Sequence, residues 1–179
     1  MRALLGFSLM LMSAASSAAA DAYHWLLPDR YQQQPTDSVL SINFKNPQQV
    51  LLNLTFHVDD EWRDVPAETM RDEFIDGLLA VPGVRSGRRF VLKLPAKTLG
   101  KYQIPARDFY CQDWQGPGLN KGSKQIGRIC VLAQQALRVV VSLNSPAAQA
   151  KSAAEDYQLA LSSLSLDWDA LVQLRDSQP

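Results

Sequence analysis

Hydrophobic and polar positions alternate strictly in two neighbouring stretches. Leu40, Ile42 and Phe44 interleave with Ser41, Asn43 and Lys45, and Val50, Leu52, Leu54, Phe56 and Val58 interleave with Leu51, Asn53, Thr55 and His57. Period-2 alternation predicts half-buried strands. Asn46-Pro47 between them supplies a turn, because proline presets φ for its second position. The pair therefore predicts an N-terminal hairpin with one core face. Upstream, Asp21 to Asp37 lacks periodicity, and Tyr23, Trp25, Leu26 and Leu27 are expected to tuck against the core. The period then changes. Met70, Phe74, Leu78 and Val81 fall at helical spacing, with Asp64 or a neighbour as cap, Pro66 in the first turn and Glu68 favourably placed near the positive N-terminus. Pro82-Gly83 ends that helix. Phe90, Leu92 and Leu94 alternate with Arg89 and Lys93 in a strand stopped by Pro95, and Thr98 to Ile104 predicts a short strand bounded by Pro105. Pro146 opens a last helix with the stripe Ala150, Ala153, Ala154, Tyr157, Ala160, Leu161 and Leu164, small residues first, which lets it lie close on a sheet. Trp168, Leu171, Val172 and Arg175 continue as a short amphipathic tail capped by Asp167.

Between Arg107 and Leu143, alternation with two turn signals predicts a three-stranded meander. The first turn is the Gly/Asn-rich run from Gly116 to Ser123, the second Ala133-Gln134-Gln135-Ala136. A first hairpin symmetric about Asn120 and Lys121 sets Cys111 opposite Cys130, Asp113 opposite Arg128 and Tyr110 opposite Val131. A second turn centred on Gln134-Gln135 pairs Leu132 with Leu137 and Cys130 with Val139. Both turns put Phe109, Cys111, Cys130, Leu132, Leu137, Val139 and Val141 on one face. The other face gathers Tyr110, Gln112, Trp114, Ile129, Val131, Arg138 and Val140, with Trp114 opposite Gly127. Two apolar faces mean that both are covered or that one awaits a partner. If open, Tyr110, Trp114, Ile129 and Arg138 have the composition of a protein-binding hot spot.

Hairpins with separate helices predict an α+β fold, an antiparallel sheet made of the N-terminal hairpin and the C-terminal meander packed against two helices. Residues 1–20 are expected to be a cleaved signal peptide: Arg2 is the positive start, Ala3 to Met12 the apolar run, and Ser13 to Ala20 a small-residue stretch ending in an A-x-A site. No cysteine follows it, so lipidation is not indicated. The remaining 159 residues, 21–179, form a single domain with a formal charge of −1. That balance argues against nucleic acid or an anionic membrane as the main partner, and no second stretch is long and apolar enough to span a bilayer. Export places the chain in the periplasm, or outside the cell as the alternative. In such a compartment the two cysteines form a disulfide. Directly opposed strand positions suit the bond, and closing its loop stabilises by about 3 kcal/mol. A redox pair or a two-ligand metal site is the competing reading, without a C-x-x-C spacing or a third ligand nearby to support it.

Candidate chemistry is sparse. His57 with Asp59 and Asp60 forms an H-x-D-D run, short of the ligands a closed metal site needs. There is no G-x-S-x-G elbow, and carboxylate neighbours such as Asp72/Glu73 and Glu155/Asp156 diverge on their helices. The run Gly116 to Ser123 lacks phosphate-loop spacing and joins two strands. The expectation is a non-enzyme without cofactor or metal. Arg85, Arg88 and Arg89, with Lys93, Lys97 and Lys101, form a basic cluster that either meets an acidic partner or protects a strand edge from association.

The order hairpin, amphipathic helix, antiparallel strands, terminal helix, closing in AEDYQLALSSLSL (154–166), resembles the PsbP/DcrB-like family from Tyr23 to about Trp168. The resemblance implies an α/β/α-like antiparallel sheet used as an adaptor or binding scaffold, with no catalytic residues to carry over. The cysteine pair and the tail from Trp168 to Arg175 depart from that pattern. Three functions compete: an exported protein-binding module, with an immunity-type inhibitor of a periplasm-directed toxin as one form; a small-ligand or lipophile-binding domain using space between sheet and helix; and a metal-dependent enzyme around His57, Asp59 and Asp60.

Overall fold

The structure is a computed structural model, and its described residues are 22–118, 120 and 122–176. The signal-peptide reading of residues 1–20 lies outside them. Among the described residues seven strands form one antiparallel sheet in the order β2-β3-β4-β10-β9-β8-β5. These are β2 (Gln32–Gln34), β3 (Ser41–Lys45), β4 (Leu51–Val58), β5 (Arg85–Leu94), β8 (Arg107–Pro117), β9 (Lys124–Gln134) and β10 (Leu137–Pro146). Two further pairs stand apart: β1 (Tyr23–His24) with β11 (Ser165–Leu166), and the small hairpin β6 (Lys97–Leu99) with β7 (Tyr102–Ile104). Among the described residues the α-helices are α1 (Ala67–Leu79), α2 (Ala150–Ser163) and α3 (Trp168–Asp176), so the expected tail is a helix of its own.

The first predicted hairpin holds residue for residue, with Cys111 facing Cys130, Asp113 facing Arg128 and Trp114 facing Gly127. The disulfide is present between Cys111 and Cys130, both fully buried. The second hairpin corrects the expected pairing by two residues. Leu137 faces Gln134, Leu132 faces Val139 and Cys130 faces Val141, because the chain reverses over Gln135-Ala136 with Gln135 at φ 52°. Strand side chains repeat with period two, so the slip leaves the same residues on each face. The meander joins the N-terminal hairpin through β10 against β4.

The first face of the sheet carries the main core. Leu52, Leu54, Phe56, Phe109, Cys111, Cys130, Val139 and Val141 pack under α2 and α3, with Tyr157, Ala160 and Leu161 of α2 fully buried. Tyr157 donates its hydroxyl to the Val141 carbonyl at 2.6 Å, and burial pushes its pKa upward. Asp167 accepts the Ala170 N–H at 3.0 Å, as a cap should. The N-terminal arm is tied down by Asp156, which accepts both contacts from Arg30 (2.5 and 2.6 Å) and the Tyr31 hydroxyl (2.9 Å).

Helix α1 lies on the second face, over β8 and β9. Its start differs from expectation: Pro66 is the N-cap residue and no side chain caps the helix. Its buried side is Ala67, Met70, Arg71 and Ile75. The predicted stripe is thus rotated, leaving Phe74 at the boundary (38% exposed) and Val81 outside (49%).

A groove beside helix α1

The four residues that would offer a partner surface if their face were open lie beneath this helix and the loop that leads into it. Trp114 and Ile129 are buried in the cluster with Ala67, Met70 and Ile75, and Tyr110 packs against it. Arg138 is 3% exposed. Its five N–H groups are all engaged: Nε with Val65 O (2.8 Å), Nη1 with Gln135 O and Leu137 O (2.8 and 2.9 Å), Nη2 with Arg63 O and Val65 O (3.0 and 2.6 Å). Of the two alternatives for this face, the covered one describes Trp114, Ile129 and Arg138, and the guanidinium, saturated by the chain's own carbonyls, holds the loop leading into α1. Burial pushes its pKa down, partly opposed by Asp64. The basic-cluster residues Arg85, Arg88 and Arg89 are exposed on the outer strand β5.

One helix cannot cover this face. Seven strands at about 4.8 Å spacing span about 29 Å, whereas a helix with its side chains is about 10 Å across. Helix α1 lies over β8 and β9 and reaches β5. Beyond the buried Arg138 and Val140 of β10, the rows of β4 and β3 are partly exposed, with Ser41, Asn43, Asn53 and Thr55 linked in a polar carpet: Asn53 Nδ2 donates to Asn43 Oδ1 (2.6 Å) and Ser41 Oγ (3.1 Å), and Thr55 Oγ1 donates to Asn53 Oδ1 (2.9 Å).

At the seam between helix and carpet runs a groove. Its central part has a volume of about 320 Å³. Phe74, Gly77 and Leu78 form the helix wall, Trp114, Ile129 and Val140 the apolar floor, and Asn53, Ser142 and Asn144 the polar side. Three features of the chain make it. Trp114 lies flat over Gly127, where a Cβ would fall 2.2 Å from Trp114 Cε2, so the indole of β8 reaches across β9 towards Asn144, the next residue in the row. Gly77 sits inside α1 with nothing within 4 Å of a notional Cβ, so no neighbour demands glycine there. An interior helical glycine costs about 1 kcal/mol against alanine. Asn144 Oδ1 is buried with no hydrogen-bond partner among the described residues.

Past Phe74 the groove continues into a second hollow of about 220 Å³ lined by His57, Trp62, Met70, Glu73 and Phe74. The His57 ring meets Trp62 at 5.4 Å and Phe74 at 6.1 Å, both edge-on. Its Nε2 has no hydrogen-bond partner among the described residues, and burial lowers its pKa, with Glu61 opposing. His57 thus packs against Trp62 and Phe74, while Asp59 and Asp60 are exposed. Among the described residues no three His, Cys, Asp or Glu side chains are grouped to hold a metal ion, and no helix is long and apolar enough to cross a membrane. The sequence signals for the groove were Gly77 within a helical pattern and Asn144 on the Trp114 face of β10. Neither identifies a groove until β4 is known to lie beside β10.

No family model matches the chain, and no curated protein matches it. Solved structures do. Cyanobacterial PsbP (CyanoP) from Synechocystis aligns over 82% of this chain and 88% of its own at 11% identity, TM-score 0.53. The Ran-binding protein Mog1p from Saccharomyces cerevisiae aligns over 83% and 93% at 12% identity, TM-score 0.52. A protein from Bacteroides thetaiotaomicron aligns over 81% of this chain at 11% identity and TM-score 0.48, and the chain spans only 45% of its length. The fold is therefore similar to that of PsbP, as the element order implied, and to that of Mog1p.

Proposed function

We propose that this protein is an exported, non-enzymatic protein-binding module whose partner seats in the groove beside α1. The observation that carries the reading is Asn144 Oδ1, without a partner among the described residues, on the polar side of a groove walled by the part-exposed Phe74. A buried acceptor without a donor costs about 1–3 kcal/mol, and a bound donor removes that cost. An aromatic anchor beside an unmet acceptor, with a polar carpet as rim, has the layout of a binding hot spot and its surround. That Mog1p binds Ran, a protein, on a similar fold supports the module role. The disulfide supports an oxidising compartment, with residues 1–20 as the leader that delivers the chain to the periplasm. An immunity-type inhibitor of a toxin acting there is the finer form of this reading.

The groove volume also falls within the range of small-ligand sites, about 300–1,000 Å³, which supports a small apolar ligand as the second reading. One experiment separates them. Immobilised protein and its Phe74→Asp variant are exposed to envelope extract and the captures identified by mass spectrometry, alongside native mass spectrometry of the purified protein. A single stoichiometric protein retained by the wild type and lost by the variant is the expected result. A co-purified small molecule with no protein capture would replace the proposal with the ligand reading.

A further inference from the structure

Strand β5 is the outer strand of the sheet, paired with β8 on one side and with no strand on the other among the described residues. It is ten residues long, against three for β2 at the opposite edge. A register shift interrupts its pairing between Ser86 and Arg89, but from Arg89 to Leu94 the register against β8 is regular. That stretch offers about 20 Å of unpaired edge, with Val91 43% exposed on it. An edge of this kind can template another strand.

Charge decides which strand. The protein as a whole is balanced, with 18 basic and 18 acidic residues, yet β5 holds Arg85, Arg88, Arg89 and Lys93 and no acid. The carboxylates nearby are already engaged: Asp72 by Arg71 (2.8 Å) and Arg89 (3.5 Å), Asp113 by Arg128 (2.6 Å), Asp108 by Lys93 (3.8 Å). Arg85 and Arg88 have no carboxylate partner among the described residues. Arg88 instead stacks on Phe90, its guanidinium 4.6 Å from the ring centroid, with Arg128 at 4.7 Å from the same ring. A second copy of this chain is the wrong occupant, because pairing β5 with itself brings two basic rows together, and opposed like charges destabilise a ladder.

We propose that the outer edge of β5 receives an extended acidic segment of a partner protein as an added strand, with backbone hydrogen bonds along Arg89 to Leu94 and carboxylates on Arg85 and Arg88. The arrangement is strand addition with charge selecting the guest. It lies across α1 from the groove and does not depend on it.

The test uses the disulfide-bonded protein and a labelled peptide of about ten residues alternating glutamate and valine, followed by fluorescence anisotropy. Binding is expected to saturate and to weaken with salt. Arg85→Glu with Arg88→Glu weakens it roughly tenfold, whereas Phe74→Asp leaves it unchanged. Methylating alternate peptide amides abolishes binding in one register and spares it in the other, since only alternate N–H groups face the neighbouring strand. The proposal is overturned by absence of saturable binding at low salt or by equal tolerance of methylation in both registers. It is also overturned if a single-stranded oligonucleotide of equal charge binds as tightly, which would make the edge a general polyanion surface.

Discussion

Replacing Gly127 with alanine tests how the groove floor is built. A Cβ at that position would lie 2.2 Å from Cε2, 2.4 Å from Cζ2 and 2.4 Å from Nε1 of Trp114. Normal carbon contacts are about 3.5 Å or more, so the indole would have to lift by roughly 1.3 Å. It cannot do so freely, because Trp114 is only 9% exposed and lies under Met70 and Ile75 of α1. Overpacking of this kind costs about 1–3 kcal/mol. Removing glycine from a strand interior returns about 0.5–1 kcal/mol through the unfolded chain. The net expectation is a loss of about 1–2 kcal/mol, or a Tm lower by roughly 2–8 °C for a domain of this size. Urea denaturation followed by tryptophan fluorescence and circular dichroism, with the disulfide intact, measures it. Trp114→Leu in the Gly127→Ala background should recover part of the loss, with a coupling of about 1 kcal/mol in the double-mutant cycle. Gly127→Ala at or above wild-type stability would refute the claim that the indole rests on bare backbone.

Reduction, or Cys111→Ala with Cys130→Ala, should lower stability by about 3 kcal/mol, since the bond closes a loop of 19 residues' separation; denaturation with and without reductant reads this directly. Asp156→Ala removes the acceptor shared by Arg30 and Tyr31, so limited proteolysis should cut between residues 22 and 40 faster than in wild type, and unchanged protection would contradict that anchoring. His57 has a folded-state pKa below its ordinary value of about 6.5, so the unfolded chain takes up a proton first as pH falls. Stability is therefore retained above about pH 6.5 and declines below it. In His57→Leu the slope of stability against pH between about 6.5 and 5 should flatten.

The meander was legible because its turns are local: a Gly/Asn-rich reversal centred near Asn120 fixes Cys111 against Cys130. Gln135 carries no such signal, and its positive φ moved the second register by two. The rotation of α1 was harder to read. Phe74 and Ile75 are adjacent apolar residues, and only the sheet beneath decides that Ile75 points inward. Strand β2 is the run Gln32 to Gln34, which has no strand propensity and pairs because Asn43 to Lys45 presents an edge. The contacts β4–β10 and β5–β8 join segments far apart in the chain, and the hydrophobic pattern contains nothing that names a distant partner. The groove depends on both, and so does the burial of Trp114 and Arg138.

Site-specific photo-crosslinking from Gly77 probes the partner-binding reading most directly, because a side chain there meets nothing within 4 Å. With p-benzoylphenylalanine at Gly77 in growing cells, one dominant protein adduct is expected, absent when the probe stands at Leu159, which is 39% exposed on α2 across the sheet. No adduct from Gly77, or the same adducts from both positions, would contradict it.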